Sequence, residues 1–184
     1  LQERRGDVWL GFEPQDIQQW MEEAGLVLLN QFSLTDRYFK ERHDHHLPMS
    51  VKHGYQALAA DENRQVFAPI LWRSTQGWPG QVQQMWFRGS HADIGGQVGG
   101  FPASRPLANI SLVWMLSRAE DCGLPLPPLW RNRFFRDSDA PSVGTWQGWS
   151  KFFLRRKRRT IGADRSEQVY DLLHKEPAAA ASDL

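Results

Sequence analysis

The run Trp86-Phe87-Arg88-Gly89-Ser90-His91-Ala92-Asp93-Ile94-Gly95-Gly96 constrains this chain more than any other stretch. Its aromatic start has strand character and stops abruptly at Gly89. A histidine follows, then a carboxylate two positions on, then a glycine-rich loop. That order sets an imidazole at the open end of a sheet, on backbone free to adopt unusual conformations, where α/β folds keep reactive groups. Histidine is also the side chain whose ordinary pKa suits proton transfer near neutrality.

Composition narrows the classes around that loop. The 184 residues suffice for one ordinary domain with a core. Twenty-two basic residues against 21 acidic ones leave a net charge of +1, so no global field favours nucleic acid. Nine tryptophans and ten phenylalanines point to an aromatic interior or a large apolar pocket rather than to disorder. The single cysteine, Cys122, excludes an intrachain disulfide and fits a reducing compartment. Standing before Gly123 at a predicted helix end, it reads as a small buried hydrophobe. No apolar run approaches the roughly 20 residues a bilayer demands. The start has neither a signal-peptide pattern nor an initiator methionine, so Leu1 reads as the start of a fragment or a processed chain. The expected location is cytoplasmic, with secretion by a signal-independent route left open.

Periodicity and punctuation give the elements. Pro14 opens a predicted amphipathic helix with Ile17, Trp20, Met21 and Ala24 on one face; Gly25 stops it, and Leu26-Val27-Leu28-Leu29 is strand-like. A polar connector over 33–47 leads to a predicted helix over 48–60, with Val51, Tyr55 and Leu58 sharing a face. Val66 to Trp72 has strand composition, although Pro69 argues for an edge or a bulge. A turn, Gly77-Trp78-Pro79-Gly80, precedes a predicted strand from Val82 to Phe87. Pro106 opens a helix running to about Cys122, stopped by Gly123 and Pro125. Short turns fill 124–148, a basic segment follows, and an alanine-rich tail is expected to be disordered.

Several of these stretches together resemble a known family. The loop at 86–96 matches the pattern W-F-x-G-x-H-x-D-V-G-G. The helix Leu107-Ala108-Asn109-Ile110-Ser111-Leu112-Val113-Trp114-Met115-Leu116 matches one beginning L-x-[DN]-I and containing W-M. The run 51–64 resembles V-x-H-x-Y-x-A-L-A-x-D-E-x-R, and 67–72 resembles F-x-P-x-x-W. These are motifs of the α/β-hydrolase family that includes phospholipase effectors of bacterial type VI secretion. The resemblance covers residues 43 to 165, the C-terminal half of that domain. It implies an α/β fold, the C-terminal portion of an α/β-hydrolase-like domain, over 31–170. Residues 1–30 form an unmatched N-terminal element and 171–184 a tail. Over a short stretch, Leu10 to Leu26 resembles the closing helix and strand of small-molecule methyltransferases, with no cofactor motif beside it.

The resemblance implies that His91 is the catalytic imidazole, taking a proton from a nucleophile and returning it to the leaving group. Asp93 has two readings: it orients His91, or it caps the loop through backbone N–H groups. Capping is favoured, because one intervening residue rarely lets two side chains meet in triad geometry. Asp61 and Glu62 form a second acidic pair, weighed against a salt-bridged terminus with Arg64. Gly95 to Gly100 offers backbone N–H groups to an anion, or simply frames His91, the reading preferred here. His43, Asp44, His45 and His46 sit too close in sequence to converge on one ion, so they read as a surface loop, and no metal or cofactor is expected. His53 reads as a packed helical histidine. The basic stretch Lys151 to Arg159, with Arg155, Arg156, Lys157, Arg158 and Arg159, reads first as a strand with a solvated end. An anionic membrane surface is its second reading.

One absence bears on everything above. The nucleophile elbow G-x-S-x-G occurs nowhere in the sequence, and Ser90 lacks the second glycine that would make it a substitute. The expectation is a serine-esterase half-domain for lipid or small ester substrates, inert until its nucleophile, and its own acid, are supplied from upstream. The alternative is a non-catalytic hydrolase-derived module that binds lipid headgroups or a partner protein.

Overall fold

The computed structural model describes residues 26–30, 46–47, 51–74, 77, 80–146 and 148–170, with the backbone alone at 26–30, 148 and 149. Strands β1 (Leu26–Asn30), β2 (His53–Ala59), β3 (Gln81–Phe87) and β4 (Glu167–Val169) form one sheet in the order β1-β2-β3-β4. Every neighbouring pair is parallel. Parallel neighbours cannot be joined by tight hairpins; each needs a crossover, and such a sheet with helices on it is an α/β fold. The strand expected at 26–29 is β1, hydrogen-bonded to β2 along its whole length.

Strand alternation gives β2 and β3 two buried faces. On one face Ala57 lies opposite Met85 and Ala59 opposite Phe87, with Tyr55 in the same row. This face packs on helix α2 (Arg105–Asp121), whose Leu107, Ile110 and Trp114 form a single stripe. The two alanines leave room for the indole of Trp114, which meets Tyr55 edge-on at 6.2 Å and Phe87 at 5.5 Å. Pro106 sits in the first turn of α2, and Gly123, at φ +100°, ends it where a side chain would resist. Between β3 and α2 lies a single-turn helix, α1 (His91–Ile94).

The opposite face carries Gln56, Leu58, Gln84 and Trp86, all buried. Buried amides need partners, and they find them in an irregular segment. Gln84 Oε1 accepts the Trp72 N–H at 2.8 Å, while its Nε2 donates to the Trp72 carbonyl at 2.9 Å and to Ser166 Oγ at 2.7 Å. Gln56 Nε2 donates to the Ile70 carbonyl at 3.1 Å. Trp86 Nε1 donates to Glu167 Oε2 at 2.8 Å, tying β3 to β4.

Two expectations are corrected here. The helix expected over 48–60 is strand β2 from His53 to Ala59. Both of its faces are covered, so its apolar residues run almost continuously and their spacing does not separate helix from strand. Pairing on both edges, to β1 and to β3, decides it. His53 therefore begins a strand, half-buried and stacked on Tyr55 at 6.4 Å. The strand expected over 66–72 is a 3-10 turn at Gln65–Phe67 followed by irregular chain. Its backbone bonds glutamine side chains instead of a neighbouring strand, and Pro69 has no N–H to give. The predicted strand at 82–87 and helix at 106–122 stand where the sequence set them. The helix predicted from Pro14, the cluster at 43–45, Trp78-Pro79 and the tail lie outside the described residues.

The amide of Gln84 substitutes for a missing strand. Gln84→Leu would leave the Trp72 N–H and carbonyl buried without partners, at about 1–3 kcal/mol per orphaned group. We expect urea denaturation to show a loss in that range or above for Gln84→Leu. Gln83→Ala, whose amide reaches only Gln168 near solvent, should stay within about 0.5 kcal/mol of the parent.

Candidate active site

Because β2 and β3 are parallel, the loops that follow them leave the sheet at the same end, the carboxyl end at which open α/β sheets bind ligands. Pairing continues past both strands: the Ala60 N–H donates to the Phe87 carbonyl at 2.9 Å and the Asp61 N–H to the Gly89 carbonyl at 3.1 Å. Asp61 Oδ2 in turn accepts the Gly89 N–H at 2.7 Å. Gly89 lies at φ +121°, and a Cβ there would stand 2.8 Å from Asp93 Cβ. Only glycine satisfies both restrictions.

Asp93 lies wholly inside this loop cluster. Its Oδ2 accepts the Ser90 N–H and the Ser90 hydroxyl, both at 2.7 Å, and the Ser142 hydroxyl at 2.5 Å. Its Oδ1 accepts the Ser104 hydroxyl and, at 2.9 Å, the Val143 N–H. Ser90 and Asp93 thereby form a capping box at the start of α1. Burial pushes the Asp93 carboxyl up, but these donors outweigh it and hold the group below its ordinary range.

His91 is the first residue of α1, half-buried at the mouth of the cluster. Its ring stacks on Phe67 with centroids 4.7 Å apart. Its backbone N–H donates at 3.1 Å to Oε2 of Glu62, a carboxylate without solvent exposure. Glu62 also receives Arg64 Nε at 2.8 Å, Arg64 Nη2 at 2.5 Å and the Arg64 N–H at 2.9 Å. Burial works to raise the Glu62 pKa; the bonds from Arg64 and His91 prevail and keep it ionised. For His91, burial lowers the pKa below that of a free histidine; the Glu62 charge opposes this and Arg64 and Arg159 reinforce it. The imidazole is thus neutral at neutral pH, the form that accepts a proton.

The other sequence candidates fall into place around these. Glu62 and Arg64 are a buried pair instead of a solvated helix end, and Asp61 is the exposed clamp on Gly89. The reach of Glu62 is not visible in the sequence: its carboxylate meets the His91 N–H only through the parallel register of β2 and β3. In the glycine run, the Gly95 N–H bonds the His91 carbonyl and the Gly96 N–H the Asp93 carbonyl, so neither is spare for an anion. The serines at 90, 104 and 142 all point their hydroxyls at Asp93. Burial raises the Cys122 pKa, which keeps the thiol protonated. Of the basic stretch, Arg156 is turned inward to Asn63 and Thr145, and Arg159 to the Arg64 and Phe67 carbonyls. Arg155, Lys157 and Arg158 are exposed. Among the described residues, no group of three or more His, Cys, Asp or Glu could hold a metal ion, and no helix is long and apolar enough to cross a membrane.

A family model described as the catalytic domain of type VI secretion phospholipase effectors of the Tle1-like type matches residues 19–118. The chain belongs to this family. The matched segment of this Tle1-like catalytic domain contains β1, β2, β3, α1 and most of α2, and with them Asp61, Glu62, Arg64, His91 and Asp93. No curated protein and no solved structure matches the chain.

The Asp93 cluster carries a pH signature. Its pKa lies below the ordinary value of 3.8, so its stabilisation is complete above that value and is lost as pH falls through the lower, folded one. Asp93→Asn, which cannot accept from every one of these donors, should be at least about 2 kcal/mol less stable at pH 7. The gap to the parent should narrow as pH falls from 5 to 2.5, measured by chemical denaturation across that range.

Proposed function

We propose that this chain carries the histidine half of a serine-esterase site in an α/β-hydrolase-type domain that cleaves a carboxylic ester of a phospholipid. The observation that carries the reading is the seat of His91. It stands on the loop after β3, at the carboxyl end of a parallel sheet, with a desolvated and neutral imidazole. The order of such sites along the chain is nucleophile, acid, histidine, with the histidine after a late strand. Membership of the Tle1-like phospholipase family supplies the reaction class.

In this mechanism His91 takes the proton of an attacking serine hydroxyl as the acyl oxygen bond forms, and then gives it to the departing alcohol. Glu62, held ionised beside it, favours the imidazolium that exists between those steps, and is the acid we assign to that role. Asp61 fixes the loop through Gly89. Asp93 acts through Ser90 and the start of α1 and is a positioning residue. No G-x-S-x-G stands in the sequence, and the hydroxyls of Ser90, Ser104 and Ser142 are engaged by Asp93. The serine is therefore assigned to polypeptide outside these residues, and the chain by itself to the inert state. A hydrolase-derived binding module is the second reading, favoured by that same missing elbow.

The test is turnover of a short-chain p-nitrophenyl ester and of a phospholipid. It is run on this chain and on the longest polypeptide its gene encodes. The longer product should hydrolyse both, and His91→Ala should cost it about a thousandfold or more. Burial holds the His91 pKa below the ordinary 6.5, so the acid limb of its pH–rate profile should fall below that value. Glu62→Gln removes the opposing charge and should move the limb lower still. Undiminished turnover in His91→Ala would sink the assignment; a longer product that is also inert would favour the binding module.

A further inference from the structure

A surface beside the site has the chemistry of a membrane contact. The chain near Arg64 pairs with the basic stretch: the Gln65 N–H donates to the Arg155 carbonyl at 2.9 Å and the Lys157 N–H to the Asn63 carbonyl at 2.7 Å. That pairing sets Phe153 against Phe67 at 5.5 Å, and Phe67 in turn against His91. Outside this ladder of rings, Val66, Phe152 and Leu154 are 64%, 73% and 79% exposed. With Gln65, Phe153 and Arg155 they line a groove of about 430 Å³.

Large apolar side chains held this far into water mark an interaction surface when they are contiguous. The rim says which kind. Lys151, Arg155, Lys157 and Arg158 are all exposed around the apolar tip, and between Ala140 and Asp164 the sequence has no acidic residue. Aromatic and aliphatic residues ringed by cations suit the boundary between acyl chains and anionic headgroups.

We propose that the Phe152–Leu154 tip, with its rim of Lys151, Arg155, Lys157 and Arg158, seats this chain on an anionic phospholipid bilayer and opens toward His91 across Phe67. The seating needs no catalysis; the direction toward His91 rests on the ester-hydrolase reading above. Arg156 and Arg159 have no part in it, because their guanidinium groups are spent on the loops beneath.

The experiment is flotation of the 184-residue chain with vesicles of phosphatidylcholine alone and of phosphatidylcholine with 30% phosphatidylglycerol. Binding to the anionic vesicles should exceed that to the neutral ones at least tenfold and should fall at least tenfold in 0.5 M salt. Phe152→Ser with Leu154→Ser should remove it, and Arg155→Glu with Arg158→Glu should do the same, each with an unchanged circular dichroism spectrum and melting temperature. His91→Ala should bind like the parent. Equal binding to both vesicle types would overturn the proposal, as would full binding by either double variant. A parent that sediments as a dimer and a Phe152→Ser, Leu154→Ser variant that sediments as a monomer would assign the patch to a second copy and overturn it too. Vesicle binding by this chain, with no ester turnover by the longest polypeptide its gene encodes, would sink the enzyme reading and leave this one standing; turnover by that longer product, with no vesicle binding by this chain, would do the reverse.

Discussion

The buried carboxylate of Asp93 is the constraint on which the rest of this end of the molecule depends. A lone ionised carboxylate in a protein interior is intolerably costly, so its burial demands donors on every side. They come from positions far apart in the chain: Ser90 at the end of β3, Ser104 before α2, and Ser142 with Val143 in the long connection to β4. Each donor fixes a loop. Arg88, bonded to the Ser138 and Ala140 carbonyls at 2.8 and 2.9 Å, pins the same connection from outside. The result is a frame of bonded loops that holds the start of α1, on which His91 stands.

A second buried charge does a different job. The Glu62–Arg64 pair spends most of its electrostatic attraction on its own desolvation, so its net contribution to stability is small, while losing one partner would cost about 3–5 kcal/mol. What the pair supplies is geometry. Glu62 keeps an oxygen for the His91 N–H, and Arg64 sends Nη1 to Ser150 at 2.8 Å, which brings the basic segment under the loop. The charge of Glu62 also acts on the ring of His91, which stacks on Phe67. Burial and the two arginines push that imidazole toward neutrality; Glu62 limits how far.

The parts of the fold that local pattern determines were legible. Val82 to Phe87 ends in an aromatic, strand-like run that stops at Gly89, and Pro106 to Gly123 carries both a helix start and a helix stop, so β3 and α2 follow from their own residues. The α/β fold class was legible through the family resemblance of the motifs at 51–72, 86–96 and 107–116, and the parallel sheet agrees with it. His53–Ala59 failed because alanine and leucine serve helix and strand alike, and the choice was made by neighbours distant in sequence. Residues 66–72 failed for the converse reason. Their composition is strand-like, but their backbone is satisfied by Gln56 and Gln84, and no spacing rule connects a glutamine side chain to a carbonyl 12 or 14 residues away. His91 and Asp93 were visible as residues. The reach of Glu62 to the His91 N–H was not, because it exists only in the register of two parallel strands.

That register also bears on the nucleophile. A serine near a catalytic histidine must present its hydroxyl proton to the imidazole, and a hydroxyl has only one proton to give. Ser90 is adjacent to His91 in sequence, yet it is fully buried and its proton is directed at Asp93 Oδ2. Turning it toward His91 would strip a donor from the carboxylate that the whole loop is built around. Ser104 and Ser142 are bound by the same argument. The cluster that places the imidazole so firmly is thus the reason none of its own serines can serve it. On the proposed ester-hydrolase reading, the nucleophile for His91 therefore comes from outside this cluster.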